Sequence, residues 1–131
     1  MVKVDIIGKS NHLNRSQVEQ IIQSDLGRLS DLEQTSMLEI SFVSPAEIQK
    51  LNDKFRNNDK PTDVLSFPVK SIPGDENSLG SITICEEYME GKSGETAELI
   101  RHGLLHLLGF DHEVNIEKWR VAAKSIDHNM I

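Results

Sequence analysis

The sequence predicts an α+β fold, a single domain over residues 1–131 in which a mixed β-sheet packs around a central helix with further flanking helices. The chain has 131 residues, which is an ordinary length for one domain. Its hydrophobic patterns follow the order strand, helix, strand, helix, then strands, then two helices. One helical segment, 96–108, is apolar on almost every face, and such a helix belongs inside a fold.

The first predicted elements are a strand, a helix and a second strand. Residues 2–7 form the first strand, and Ser16 with Glu19 makes a capping box that opens the helix. Apolar residues then recur at helical spacing. They are Val18, Ile21, Ile22, Leu26 and Leu29. Residues 37–43 alternate between apolar and polar, which predicts a strand with one buried face.

A strong helix start follows this strand. Ser44 can cap the helix, Pro45 suits its first position, and Glu47 completes the capping box. We expect three apolar residues to form its buried face. They are Ile48, Leu51 and Phe55. Residues 56–62 are polar and contain a proline, so they are predicted to form a loop.

The second half of the chain contains two strands and two helices. Residues 64–69 read as a strand, and Pro68 favours a place at an edge or an end, because proline cannot donate to a ladder. Residues 80–85 predict another strand. The apolar helix of 96–108 comes next, and a last helix is expected to begin at Asn115.

Composition limits the class of protein. Hydrophobic residues make up 37% and charged residues 27% of the chain, as in soluble globular proteins. No apolar run approaches the ~20 residues that cross a bilayer, and no signal-peptide pattern is present, so we expect a cytoplasmic protein without a membrane partner. The net charge of −7 argues against a protein that coats nucleic acid through bulk charge, but it permits a local basic site.

Three histidines predict a metal site. His102 and His106 lie four residues apart, which stacks their imidazoles on one face of the central helix. Gly109 can end the helix and reverse the chain, which returns His112 toward the pair. Three imidazoles around one Zn²⁺-like ion leave a fourth position for water, as in catalytic sites. A closed thiolate site is impossible, because Cys85 is the one cysteine and is expected to be a small buried residue.

The same spacing of three histidines occurs in metzincin proteases, but one residue of their motif differs in this chain. Those enzymes carry a glutamate general base directly after the first histidine, whereas this chain has Gly103. Without that carboxylate, peptide hydrolysis lacks its usual base beside the metal. Gly103 is expected to permit close helix packing or access to the metal.

Two blocks of sequence resemble the YbeY family of bacterial endoribonucleases. The first is His102-Gly-Leu-Leu-His106-Leu-Leu-Gly-Phe-Asp-His112, and the second runs from Leu51 to Pro68 and includes Arg56. A weaker third block is Leu79-Gly80 with the strand 82–85. One departure is Ser81, where the family commonly has aspartate.

This resemblance implies a metal-dependent endoribonuclease that cleaves single-stranded RNA. It also implies roles in maturing the 3′ end of 16S ribosomal RNA and in ribosome quality control, with ribosomal or ribosome-associated proteins as further partners. Arg56 is the best candidate to neutralise charge on the phosphate, because guanidinium binds phosphate in a bidentate fork. Lys54 and Lys60 join it in a local basic cluster. Two alternatives stay open: a zinc-dependent hydrolase of another class, such as a peptidase, and a non-catalytic metal-binding module associated with the ribosome.

Overall fold

The computed structural model describes residues 2–29, 36–68, 78–89 and 96–108. These ranges contain four strands and four helices. In chain order they are β1 (Val2–Ile7), α1 (Arg15–Leu29), β2 (Ser36–Phe42), α2 (Pro45–Arg56), β3 (Val64–Pro68), β4 (Ser78–Ile84), α3 (Glu86–Met89) and α4 (Thr96–Leu107). The α+β prediction is confirmed, and α3 is a short helix that the sequence did not predict. The helix expected from Asn115 lies outside the described residues.

The four strands form one mixed sheet in the order β1-β2-β4-β3. Strands β1, β2 and β4 are parallel. Helix α1 connects β1 to β2 along the chain, and the segment that contains α2 and β3 connects β2 to β4. Strand β3 runs antiparallel to β4 and occupies the edge. The prediction from Pro68 is therefore confirmed, since a proline is tolerated where no further strand needs its N–H.

Two hydrophobic clusters hold helices against opposite faces of the sheet. The larger cluster joins α1 and α4 to β2 and β4. Its buried residues are Val18, Ile22, Leu26, Leu38, Ile40, Ile82, Ile84, Leu99, Ile100 and Leu104. The smaller cluster places Ile48 of α2 against Leu65 and Cys85. Within the described ranges, no helix has the length and apolar composition needed to cross a bilayer.

The ends of the first two helices are capped by side chains. Ser44 accepts the Glu47 N–H at 3.2 Å, so the predicted start of α2 is confirmed. The predicted box at the start of α1 was wrong. Asn14 and Gln17 cap this helix instead, each side chain accepting the backbone N–H of the other at 2.9 Å. The helix therefore begins at Arg15, one residue before Ser16, because the Asn14 side chain accepts a free N–H of the first turn.

The buried face of α2 differs from the prediction at its last turn. Ile48 is fully buried and Leu51 is half-buried, but Phe55 is 56% exposed. Helix α2 packs against the edge strand β3, so its last turn has a partner on one side only. The Phe55 ring leans on Phe67 of β3, with the ring centroids 5.3 Å apart.

Helix α4 is the central helix, as its apolar faces predicted. It packs against β3, β4 and α1. Its buried residues are Thr96, Leu99, Ile100, Gly103, Leu104 and Leu105. An ion pair adds to this contact, since Arg101 Nε lies 3.1 Å from Asp25 Oδ2 of α1. The Asp25 side chain is only 2% exposed and that of Arg101 is 23% exposed. The pair therefore fixes α1 against the turn of α4 that carries His102.

The Asp25–Arg101 pair should contribute measurably to stability. We expect Asp25→Ala to lower the free energy of unfolding by about 2–3 kcal/mol, because it leaves a partly buried guanidinium without its carboxylate. Urea denaturation measures this effect. The control is Glu19→Ala, which removes the exposed Arg15–Glu19 pair at 3.9 Å and should cost less than about 1 kcal/mol. Equal small losses in both variants would contradict the structural role of Asp25.

Candidate metal centre

The structure brings His102 and His106 together on α4. Their Nε2 atoms lie 3.2 Å apart, and their ring centroids lie 4.9 Å apart with a tilt of 56° between the planes. Both side chains are half-buried. This arrangement follows from the spacing of four residues, which places the second imidazole one turn above the first. The pairing predicted from the sequence is therefore present.

The separation of the two nitrogens fits a shared metal ion. Two nitrogens bound to one tetrahedral Zn²⁺ at about 2.0–2.1 Å lie about 3.3 Å from each other. The observed 3.2 Å matches this value, and it also suits a hydrogen bond between two neutral tautomers. In the part of the chain that the structure describes, no three His, Cys, Asp or Glu side chains gather into a metal site. The third predicted ligand, His112, lies outside those residues.

Gly103 lets α4 approach the sheet closely. A Cβ atom at this position would lie 2.8 Å from Cγ2 and 3.0 Å from Cδ1 of Ile82. Ile82 is fully buried and branched at Cβ, so it has little freedom to move aside. A glutamate cannot occupy this position without displacing the helix. The protease-type base is therefore excluded by packing, and the expectation of close helix packing is confirmed.

Ser66 links α4 to Arg56. Its hydroxyl donates to the Gly103 carbonyl at 3.3 Å, and its own carbonyl accepts a hydrogen bond from Arg56 Nη2 at 2.7 Å. Because β3 is an edge strand, this carbonyl faces outward and is open to a side chain. Arg56 is thus connected through one residue to the turn of α4 that carries His102.

The placement of Arg56 corrects the predicted loop. Arg56 is the last residue of α2, and Asn57 ends the helix in the left-handed conformation with φ of 53°. The guanidinium carbon lies 5.8 Å from the centroid of the Phe67 ring. The positive charge is favourable here, since the carbonyl end of a helix carries partial negative charge. One of its five N–H groups bonds to Ser66, and the guanidinium is otherwise exposed.

Comparison with known proteins decides the family. Residues 4–128 match the family described as Endoribonuclease YbeY. This chain belongs to the YbeY family. Membership in a family of nucleases is consistent with a metal cofactor.

Curated YbeY relatives cover most of the chain. The Endoribonuclease YbeY of Aliarcobacter butzleri is 38% identical over 87% of this chain and 87% of its own length. That of Halalkalibacterium halodurans is 35% identical over 96% and 92%. Among solved structures, the solution structure of TM1509 from Thermotoga maritima is 27% identical, with a TM-score of 0.56, and covers 94% of this chain and 88% of that one.

The polar residues between α2 and β3 have structural partners. Asp59 accepts from Gln49 Nε2 at 3.0 Å, and the backbone carbonyl of Asp63 accepts the Cys85 N–H at 2.8 Å. Cys85 is fully buried, as expected. Burial, with the nearby Glu87 and Asp63 carboxylates, raises the pKa of its thiol. This side chain therefore stays protonated at neutral pH and is a poor metal ligand.

Two residues of this site were missed by the sequence reasoning. No role was predicted for Ser66, a polar residue within a predicted strand. The signal that could have revealed it is strand alternation, which places Ser66 on the opposite face from Leu65 and Phe67. Buried Glu86 accepts hydrogen bonds from Ser10 Oγ, the Asn11 N–H and Thr96 Oγ1 at 2.7–2.8 Å. Glu86 thus ties the loop after β1 to the start of α4, so it supports the histidine-bearing helix from its other end.

Proposed function

We propose that residues 1–131 form one zinc-dependent endoribonuclease domain that cleaves single-stranded RNA. The observation that carries this proposal is the joint placement of His102, His106 and Arg56. The two imidazoles form a pair suited to one ion, and Ser66 connects Arg56 to the same turn of α4. Such a site would combine a metal with a cation for phosphate, and both promote phosphodiester cleavage by stabilising the charge that develops on the phosphate.

His102, His106 and His112 would hold one Zn²⁺ per chain. When bound, the ion supplies Lewis acidity and an activated water nucleophile near neutral pH. The protein contributes the rigid placement of the first two ligands, since Gly103 and Ile82 fix the height of α4 above the sheet. His112 is proposed as the third ligand because it completes the pattern of three histidines that begins with His102 and His106.

Arg56 would bind and stabilise the scissile phosphate. Negative charge increases on phosphate oxygens during cleavage, and a guanidinium can make two parallel hydrogen bonds to them. The bond to Ser66 holds the guanidinium at the outer edge of β3, which preorganises its remaining donors for this contact. The local cation also gives RNA a contact point on a chain whose net charge is −7.

The biological role that fits this activity is maturation of the 3′ end of 16S ribosomal RNA and ribosome quality control. Its support is the YbeY family match and the endoribonuclease name of the relatives. We further propose a cytoplasmic location and contacts with ribosomal or ribosome-associated proteins. Neither a peptidase-like hydrolase nor a non-catalytic module is favoured. Packing at Gly103 leaves no room for the protease glutamate.

Metal content tests the histidine ligands. Each of His102→Ala, His106→Ala and His112→Ala should greatly reduce bound zinc and RNA cleavage, because two remaining protein ligands make an incomplete site. Elemental analysis of the purified variants gives the answer. His12→Ala is the control, since His12 is an exposed loop residue and should leave metal content unchanged. Near-stoichiometric metal in all three ligand variants would contradict the assignment of these histidines as metal ligands.

Substrate form tests the nuclease assignment. The wild-type protein should cleave a single-stranded oligoribonucleotide well before the same strand in a perfect duplex, because unpaired bases can stack on protein side chains. Initial rates on the two substrates at equal concentration make the comparison. Equal rates would contradict single-strand specificity, and absence of cleavage of both with zinc-loaded protein would contradict the proposed function.

Arg56→Lys separates catalysis from folding. We expect the single-turnover cleavage rate to fall by about 10²–10³, the cost of losing one well-placed donor to a developing oxyanion. Lysine keeps the charge but loses the planar fork. Zinc content and the melting temperature should stay near wild type, because the side chain is exposed and leaves no cavity. Arg15→Lys on α1 serves as the control. Unchanged cleavage in Arg56→Lys would exclude Arg56 from the mechanism, and a collapsed melting temperature would show a purely structural arginine.

A further inference from the structure

An exposed aromatic ring lies beside the proposed cleavage site. Phe55 is 56% exposed at the last turn of α2. Among the described residues, the other large exposed apolar side chains are Ile7 and Met37, both of them aliphatic. The Phe55 ring packs on Phe67, with centroids 5.3 Å apart and planes tilted by 59°. One side of the Phe55 ring thus packs on the protein, while the residue as a whole is more than half exposed to solvent.

Two cations flank this pair of rings. The Lys54 ammonium lies 5.2 Å from the centroid of Phe55, and the Arg56 guanidinium carbon lies 5.8 Å from the centroid of Phe67. We call the four residues 54, 55, 56 and 67 the Phe55 platform. Aromatic rings interleaved with cations are the combination that binds single-stranded nucleic acid, because rings take bases and cations take phosphates. The other two exposed side chains, Ile7 and Met37, have no ring on which a base can stack.

The platform is connected to the proposed metal site through the edge strand β3. Phe67 follows Ser66 in β3, so the two side chains point to opposite faces of the sheet. The Ser66 hydroxyl bonds to Gly103 of α4, while its carbonyl, on the outer edge, holds Arg56. Ser66 therefore connects Arg56 and the rings on one face of the sheet to the histidine-bearing helix on the other face. We expect a strand of RNA that crosses this edge to contact both.

We propose that Phe55 stacks on one base of the single-stranded RNA, next to the phosphate that Arg56 binds. The inference rests on the proposed nuclease function and names the residue that positions the substrate. A base on Phe55 displaces the flexible Lys54 ammonium from the ring, and this ammonium then pairs with a neighbouring phosphate. Phe55 is a positioning residue, because it contacts a base and not the reacting atoms.

The stack should govern substrate affinity rather than the chemical step. Alanine at a base-stacking position weakens binding by about 5- to 150-fold. We expect Phe55→Ala to raise the half-saturating protein concentration in single-turnover cleavage by a factor in that range, with the maximal rate near wild type. Phe55→Leu should behave like Phe55→Ala, since it keeps apolar bulk but loses the ring. Phe55→Trp should bind as tightly as wild type or more tightly.

Matched measurements separate stacking from folding. Met37→Ala is the control, because Met37 is 52% exposed on β2 and should leave half-saturation and melting temperature unchanged. The Phe55→Trp variant adds a spectroscopic signal, since RNA stacked on the new indole should quench its fluorescence relative to wild type, whose one tryptophan gives the baseline. An RNA with one abasic site at the stacked position should lose affinity for the wild type but not for Phe55→Ala.

The outcomes distinguish this inference from the function on which it rests. If the wild type cleaves RNA and Phe55→Ala or Phe55→Leu half-saturates at the wild-type concentration, the stacking proposal is wrong and the nuclease assignment stands. Lack of quenching in Phe55→Trp at saturating RNA also overturns the stack. If the wild type does not cleave RNA, the proposed function fails, while quenching of Phe55→Trp by single-stranded RNA would still establish the platform as an RNA-binding surface.

Discussion

The contact between Gly103 and Ile82 sets the geometry on which the site depends. Without a side chain at position 103, α4 lies so close to β4 that a Cβ atom would be 2.8 Å from Ile82. This approach brings the Gly103 carbonyl within 3.3 Å of the Ser66 hydroxyl. Since interiors are close-packed, the helix has little freedom to shift from this position. His102 and His106 lie on this helix, so their backbone positions are fixed as well. Ligands whose positions are fixed in this way are suited to a metal site.

Ser66 couples the two faces of the sheet because it lies on an edge strand. In an inner strand both backbone edges are consumed by neighbouring strands, whereas β3 pairs only with β4 among the described strands. The outward carbonyl of Ser66 can therefore accept from Arg56, and the inward hydroxyl can donate to α4. A residue of α2 is thus connected through Ser66 to a helix on the other face of the sheet. Proline at the end of the same strand keeps the edge closed to further pairing.

A local pair of cations explains how a chain with a negative net charge can bind RNA, its proposed substrate. A net charge of −7 disfavours the binding of RNA through bulk charge. Lys54 and Arg56 occupy the last turn of α2, where the helix dipole favours cations, and both lie over aromatic rings. These two cations therefore provide a local contact point for RNA at one edge of the sheet. This distribution favours a single short contact over coating of long RNA.

The sequence by itself determined the four strands, the helices α1, α2 and α4, the edge position of β3 and the pairing of His102 with His106. These features depend on local periodicity, on the missing N–H of Pro68 and on a spacing of four residues, all of which are fixed before the chain folds. Gly103 was expected to allow close packing, and its contact with Ile82 agrees. The motif around the histidines also led to the YbeY family, which the match over residues 4–128 confirmed.

Only the tertiary structure decided where Arg56 and Phe55 lie. Arg56 was expected in a loop and Phe55 in the core, because a helical pattern says which residues share a face but not where the neighbouring sheet ends. Helix α2 extends to the edge of the sheet, so its last turn is exposed on one side and reaches the open carbonyl of Ser66.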